Sequence, residues 1–278
     1  MPPTVHTGSS KSKVTPLARY ELVMALDRAI ERLLKRDRLV VLGGLIAVTA
    51  LTWVYLFAIA AEMAGIAGMA QLRPWTALDA SLMFIMWAVM MIGMMVPSAT
   101  PVILLYARVC RRQSNGEQPL VPTGAFMMGY ITGWAAFSIA ATALQWGLEQ
   151  TALLSPMMVS TSSLFGGLVL IVAGVYQWMP YKNACLSRCR SPIEFLSTHW
   201  RAGVKGAFVM GLEHGLYCLG CCWALMILLF VGGVMNLLWV AAIAIFVLVE
   251  KVAPFGRVVG QVGAVLFVLA GLAVIAGV

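Results

Sequence analysis

The stretch GLEHGLYCLGCCW, Gly211 to Trp223, carries a carboxylate, an imidazole and three thiols inside an otherwise apolar run. Ionisable side chains in a hydrophobic helix are costly to bury and mark function by default. Glu213, His214, Cys218, Cys221 and Cys222 are therefore the first candidates. At 100° per residue, His214, Cys218 and Cys221 fall within an arc of roughly 60° on one helix face. Met210 extends that stripe by a turn, and Cys222 sits at its edge. Thiolate and thioether are soft ligands and imidazole is borderline, a set that suits Cu(I) and, less selectively, Zn(II). Seven residues of straight helix rise about 10.5 Å, too far for His214 and Cys221 to share one ion. Either neighbouring pairs one turn apart each supply two ligands, or the helix unwinds at Gly215 or Gly220. Broken helices around ion sites do the latter. The competing reading is packing, because a buried Cys behaves as a small hydrophobe.

A second unusual stretch, MFIMWAVMMIGMMVPSATP, runs from Met83 to Pro101. On a helix Met83, Met86, Met90 and Met94 lie within roughly 80° of one another, and Met91 and Met95 broaden the stripe. Methionine is an adaptable packing residue, but facing a Cys/His helix it adds thioethers that favour Cu(I) over hard ions. Pro97 and Pro101 are expected to kink or end the helix and free carbonyls near Ser98. A third stretch, KNACLSRCRSP, places Cys185 and Cys189 at i and i+4. In a reducing compartment these do not form a stable disulfide, and they are candidates for passing a metal on from a cytosolic donor. Cys110, between Arg108 and Arg111, reads as a spectator.

These residues need a scaffold, and the composition says which kind. Of 278 residues 61% are hydrophobic and 11% charged, against about 25% charged in a soluble domain. Seven continuous apolar segments lie near Leu39–Met63, Leu78–Ala107, Gly124–Leu148, Ser162–Trp178, Val204–Val231, Met235–Val249 and Val258–Val278. Most have the length that crosses a hydrocarbon core as a helix, and a β-barrel would alternate apolar and polar residues instead. The expected fold is an all-α polytopic transmembrane bundle of about seven spans. Residues 39–278 form that membrane domain. Residues 1–38 form a basic cytosolic tail, in which Leu17–Arg38 reads either as an interfacial helix or as a solvated segment. All but one of the 19 Lys and Arg fall in the tail or after the second, fourth and sixth spans; only Arg73 falls on the other side. That asymmetry puts the N-terminus in the cytoplasm and the C-terminus outside. The net charge of +8 is thus topological, and no basic patch on a soluble module points to nucleic acid. Gly129-x-x-x-Gly133 and Gly211-x-x-x-Gly215 permit close helix approach, although glycine is frequent in membrane helices anyway.

No P-loop, serine-hydrolase elbow or zinc-protease helix motif is present, which argues against an enzyme. The segments MWAVMMIGMMVPSATP, GYITGW, MPYKNACLSRCRSP and GLYCLGCCWALMILLFVGGVMNLLW, followed by VLVEK, occur in this order. Together they resemble a bacterial family described as predicted metal-binding integral membrane proteins, over about residues 75 to 255. The resemblance implies a multi-pass inner-membrane protein with a metal site, and no established reaction.

The reading is a soft-metal site between the second and fifth spans, with copper ahead of zinc. His214, Cys218, Cys221 and Cys222 are the expected ligands, joined by Met90 and Met94, with Glu213 behind them or coupled to proton release. The role is metal transport, or delivery to a membrane enzyme under assembly, with a metallochaperone or that metalloenzyme as partner and the lipid bilayer as solvent. The alternatives are a membrane thiol redox protein using the Cys218/Cys221 pair and a non-catalytic assembly subunit.

Overall fold

A computed structural model describes residues 38–62, 75–113, 120–155 and 158–277. The basic tail lies outside the described residues except for Arg38. Each apolar segment becomes a helix: α1 Arg38–Glu62, α2 Ala77–Gln113, α3 Leu120–Gln150, α4 Ser163–Trp178, α7 Gly203–Ile227, α9 Leu237–Val252 and α10 Gly256–Ala276. Three shorter helices, α5 Pro180–Arg190, α6 Pro192–His199 and α8 Leu229–Gly232, lie between them. Among the described residues the only β pairing is one isolated bridge, Leu154 to Ser160. By length and composition five helices can cross a membrane, or six if the bent pair α4–α5 counts as one span. The expected seventh falls short because α9 has 16 residues, about 24 Å of helix against a core of about 30 Å.

Local chemistry sets the boundaries. The Ser162 and Asn236 side chains cap α4 and α9 by accepting from Phe165 N and Trp239 N, which satisfies donors the first turn leaves free. Pro180 and Pro192 open α5 and α6, where a missing N–H costs nothing. The chain therefore bends by 66° between α4 and α5. Gly233, at φ +92°, makes the sharp link from α8 to α9. Of the two outcomes expected at Pro97 and Pro101, an end does not occur, and α2 continues to Gln113. In the same stretch Ser98 Oγ donates to Met95 O and Thr100 Oγ1 to Val96 O.

The two glycine pairs face each other. A Cβ on Gly129 would overlap the Phe208 carbonyl oxygen, and one on Gly211 would overlap that of Phe126. Gly133 meets Gly215, and Gly215 meets the Tyr130 backbone. α3 and α7 thus touch main chain to main chain, the close approach that small residues allow. A similar seam joins α4 and α10, where Gly174 faces the Ala264 carbonyl and Gly167 faces that of Gly271. α1 crosses α2 at Gly93, against Thr52.

The bundle has two chemically different ends. At one, Tyr106 near the end of α2 packs against Trp200, and Arg190 of α5 donates to the carbonyls of Glu250, Ala253 and Pro254 at the end of α9. Arg108, Arg111 and Arg112 near the end of α2, Arg188 on α5, Arg201 in the link before α7 and Lys205 in the first turn of α7 lie toward this end. At the other, Trp75 Nε1 donates to Glu149 Oε2 at 2.8 Å and Trp87 packs on Phe230. Two basic residues assigned to loops on sequence are not surface charges. Lys182, 1% exposed, pairs with the buried Glu250. Lys251 lies inside α9 and is buried. An apolar segment that ends in a basic residue looks the same in sequence whether that residue turns outward or inward.

Candidate metal centre

The α3–α7 glycine contact fixes the position of Tyr130, and Tyr130 fixes that of Cys218. The Tyr130 hydroxyl lies 3.0 Å from Cys218 Sγ and 3.2 Å from Met95 O of α2. From α9, Lys251 Nζ reaches Cys218 Sγ at 2.9 Å, Ser98 Oγ at 3.4 Å and Cys222 Sγ at 3.9 Å. Cys222 Sγ in turn lies 3.9 Å from Met95 Sδ. Cys189, carried by α5, lies close to Cys218 and Cys221. Four helices and one lysine-bearing helix end therefore meet around Cys218.

Helix α7 runs unbroken through Gly215 and Gly220, so the local unwinding considered on sequence is absent. Both glycines have a packing reason instead. Gly215 lets α3 approach, and a Cβ on Gly220 would come within 2.8 Å of Cys185 Sγ. The Gly220 carbonyl accepts from the Tyr176 hydroxyl. With the helix regular, the Cys221 and Cys222 thiols turn back to the Cys218 carbonyl at 3.0 and 2.9 Å. The thiols are pairwise neighbours, and among the described residues no three His, Cys, Asp or Glu side chains are grouped so as to hold an ion. What the cluster offers a soft ion is two-sulfur sites, of which Cys218 with Cys222 has Met95 alongside.

The other predicted residues are distributed as follows. His214 is buried among the rings of Phe126, Tyr130 and Phe195, at centroid distances of 6.2, 5.9 and 5.0 Å, and its Nδ1 has no hydrogen-bond partner. Glu213 turns to Arg201, 2.9 Å away, on a partly exposed flank. Met90 and Met94 are fully buried on α2, but the methionine whose sulfur meets a thiol is Met95. Cys185 is buried against Gly220. Sequence reasoning did not single out Lys251, Tyr130 or Ser98. The available signal was the pair Glu250-Lys251 at the end of an apolar helix, which the same rule that flagged Glu213 and His214 covers.

Electrostatics gives the cluster its character. A buried ammonium requires an anionic or strongly accepting partner, and Cys218 Sγ is the closest of the three atoms that Lys251 Nζ reaches. A cation thus already stands against the central thiol.

Fold and site together describe an all-helical bundle with long apolar helices around a buried cluster of thiols, a methionine sulfur and a lysine. Residues 84–274 match the family model of PpoB2, copper chaperone, and the chain belongs to that family. No curated protein and no solved structure matches the chain.

Proposed function

We propose that this chain is an integral membrane copper chaperone that holds Cu(I) on the Cys218–Cys222 pair beside Met95 and delivers it to a metalloenzyme. The observation that carries the reading is the placement of Cys222 Sγ 3.9 Å from both Met95 Sδ and Lys251 Nζ, with Cys218 Sγ one contact further on. Cu(I) is content with few soft ligands, and thiolate with thioether selects it over hard ions. Cys189 and Cys185, on the helix from the basic end, form the approach along which a donor passes the metal to Cys221 and Cys218. Met90 and Met94 continue the sulfur face beyond Met95. His214, with its free Nδ1, is a reserve ligand one turn from Cys218, and Glu213 influences the site through its pair with Arg201.

The membrane placement follows the same logic. Basic side chains gather at one end of the bundle, which we assign to the cytoplasm. The N-terminus is then inside, and α9 makes a short seventh crossing that brings the C-terminus outside, in a bacterial inner membrane.

The test is an anaerobic Cu(I) titration of detergent-purified protein against a chromophoric Cu(I) chelator. Wild type should compete for copper, and Cys218→Ser/Cys222→Ser should lose its tightest equivalent. Equal titrations would reject the site. The redox alternative rests on the Cys218/Cys221 pair. It predicts a reversible disulfide and no tight copper.

A further inference from the structure

Two polar atoms at the start of α7 are buried, and the thiol pair does not use them. His214 is 3% exposed, and its Nδ1 has no hydrogen-bond partner among the described residues. Glu213 gives one oxygen to Arg201 at 2.9 Å, while its Oε2 is buried without a partner among those residues. Such an atom calls for an explanation, a bound water or ion being the usual one. At the imidazole the surroundings disfavour water. The rings of Phe126, Tyr130 and Phe195 enclose it, and the Tyr130 hydroxyl is taken up by Cys218 Sγ and Met95 O. A buried water needs about two to four polar partners.

Met210 belongs to the same patch. It precedes Glu213 by three residues and His214 by four, the spacings that make neighbours on a helix, with Cβ atoms about 5–6 Å apart. Side chains on a helix lean over the turn N-terminal to them, so the His214 ring leans toward Met210 as Cys218 leans toward His214. Met210 is fully buried, and its Sδ accepts from the backbone N–H of Arg201 at 3.2 Å. A thioether sulfur keeps a further lone pair, and His214 Nδ1 has nothing to release. An ion shared by these two atoms therefore breaks no hydrogen bond.

We propose that Met210 Sδ and His214 Nδ1 form a second, weaker Cu(I) site one turn before the Cys218–Cys222 pair, on the side of the basic end. Imidazole is a borderline ligand and thioether a soft one, a combination that suits Cu(I) and not the hard ions. Neither ligand carries a charge, so the pair holds the ion less firmly than two thiolates do. A buried cation needs a counter-charge nearby, and the Glu213 carboxylate on the same patch supplies it without acting as a ligand. From this site the ion reaches Cys218 by ligand exchange, with no change of oxidation state. The inference rests on the copper reading above, but its two ligands are separate from the thiols and can fail independently.

The experiment is the same anaerobic Cu(I) titration of purified protein, run on wild type, Met210→Leu and Cys218→Ser/Cys222→Ser, with a thermal melt of each. Wild type should show a tight and a weaker equivalent. Met210→Leu should lose only the weaker one, and the cysteine variant only the tight one. If the weaker equivalent is missing from wild type or survives in Met210→Leu, the second site is overturned. It is also overturned if a folded Met210→Leu loses both, because Met210 then serves the tight site. If the cysteine variant keeps the tight equivalent, the thiol site falls while the second site stands. Should Met210→Leu misfold, X-ray absorption of the copper-loaded cysteine variant decides. One nitrogen and one sulfur ligand support the site, and the absence of either overturns it.

Discussion

Lys251 Nζ lies 2.9 Å from Cys218 Sγ, and both side chains are buried in the bundle interior. A Cu(I) ion held by two thiolates carries a net negative charge, which is costly in a medium of low dielectric. The ammonium in contact with both sulfurs of the pair neutralises it. Lys251→Met keeps the length of the side chain and removes that charge. Copper affinity should fall about 10- to 100-fold, the range seen when supporting partners of metal ligands are removed. Chelator competition measures it, and unchanged affinity would mean that the lysine plays no part in copper binding.

The α3–α7 seam should tolerate no methyl group. Gly129→Ala and Gly211→Ala each force a Cβ into a carbonyl of the facing helix. Overpacking of this kind costs about 1–3 kcal/mol or more. Both variants should unfold at lower temperature in detergent and bind copper less tightly, because Tyr130 and Cys218 move apart. Gly147→Ala, on α3 with nothing within 4 Å of its Cβ, should change stability by no more than about 0.5 kcal/mol. A thermal melt of the three variants tests the contrast.

The buried pair Lys182–Glu250 ties α5, and with it Cys185 and Cys189, to α9. Removing one partner leaves an uncompensated buried charge, at a cost of about 3–5 kcal/mol. Lys182→Met should therefore be strongly destabilising, and Lys182→Met/Glu250→Gln should recover much of the loss. If the double variant is no better than the single one, the two residues are not acting as a pair.

Much of this was legible in sequence. The apolar segments became helices within a few residues of their expected ends, because hydrophobic length is a direct signal. The Cys/His stretch lies on one helix, α7, and its Cys222 reaches Met95 of the Met-rich α2. The identity of the contacting methionine was not legible. A stripe about 80° wide leaves several candidates, and only the crossing of α2, α3 and α7 selects Met95. The unwinding considered at Gly220 failed for a related reason. A glycine signals close approach and backbone freedom equally, and here Cys185 of α5 uses the space. Lys182 and Lys251 looked like loop charges because nothing local distinguishes a basic residue that turns toward a buried acid or thiol.

Orientation can be read from labelling intact cells with an impermeant thiol reagent. Thr161→Cys lies exposed in the link between α3 and α4, and Ser197→Cys lies exposed on α6. With the N-terminus inside, Thr161→Cys should label in intact cells and Ser197→Cys only after permeabilisation. The reverse pattern would invert the topology.

The most direct measurement is X-ray absorption at the copper edge of protein loaded anaerobically with less than one Cu(I) per chain, so that only the tightest site fills. The account predicts Cu(I) with sulfur-only ligation in wild type. In Cys218→Ser/Cys222→Ser, that sulfur-only site should disappear, leaving the copper bound to be mixed-ligand or absent. A wild-type spectrum dominated by nitrogen or oxygen, or one unchanged by loss of the two cysteines, would contradict the claim that this thiol pair is where the protein holds copper.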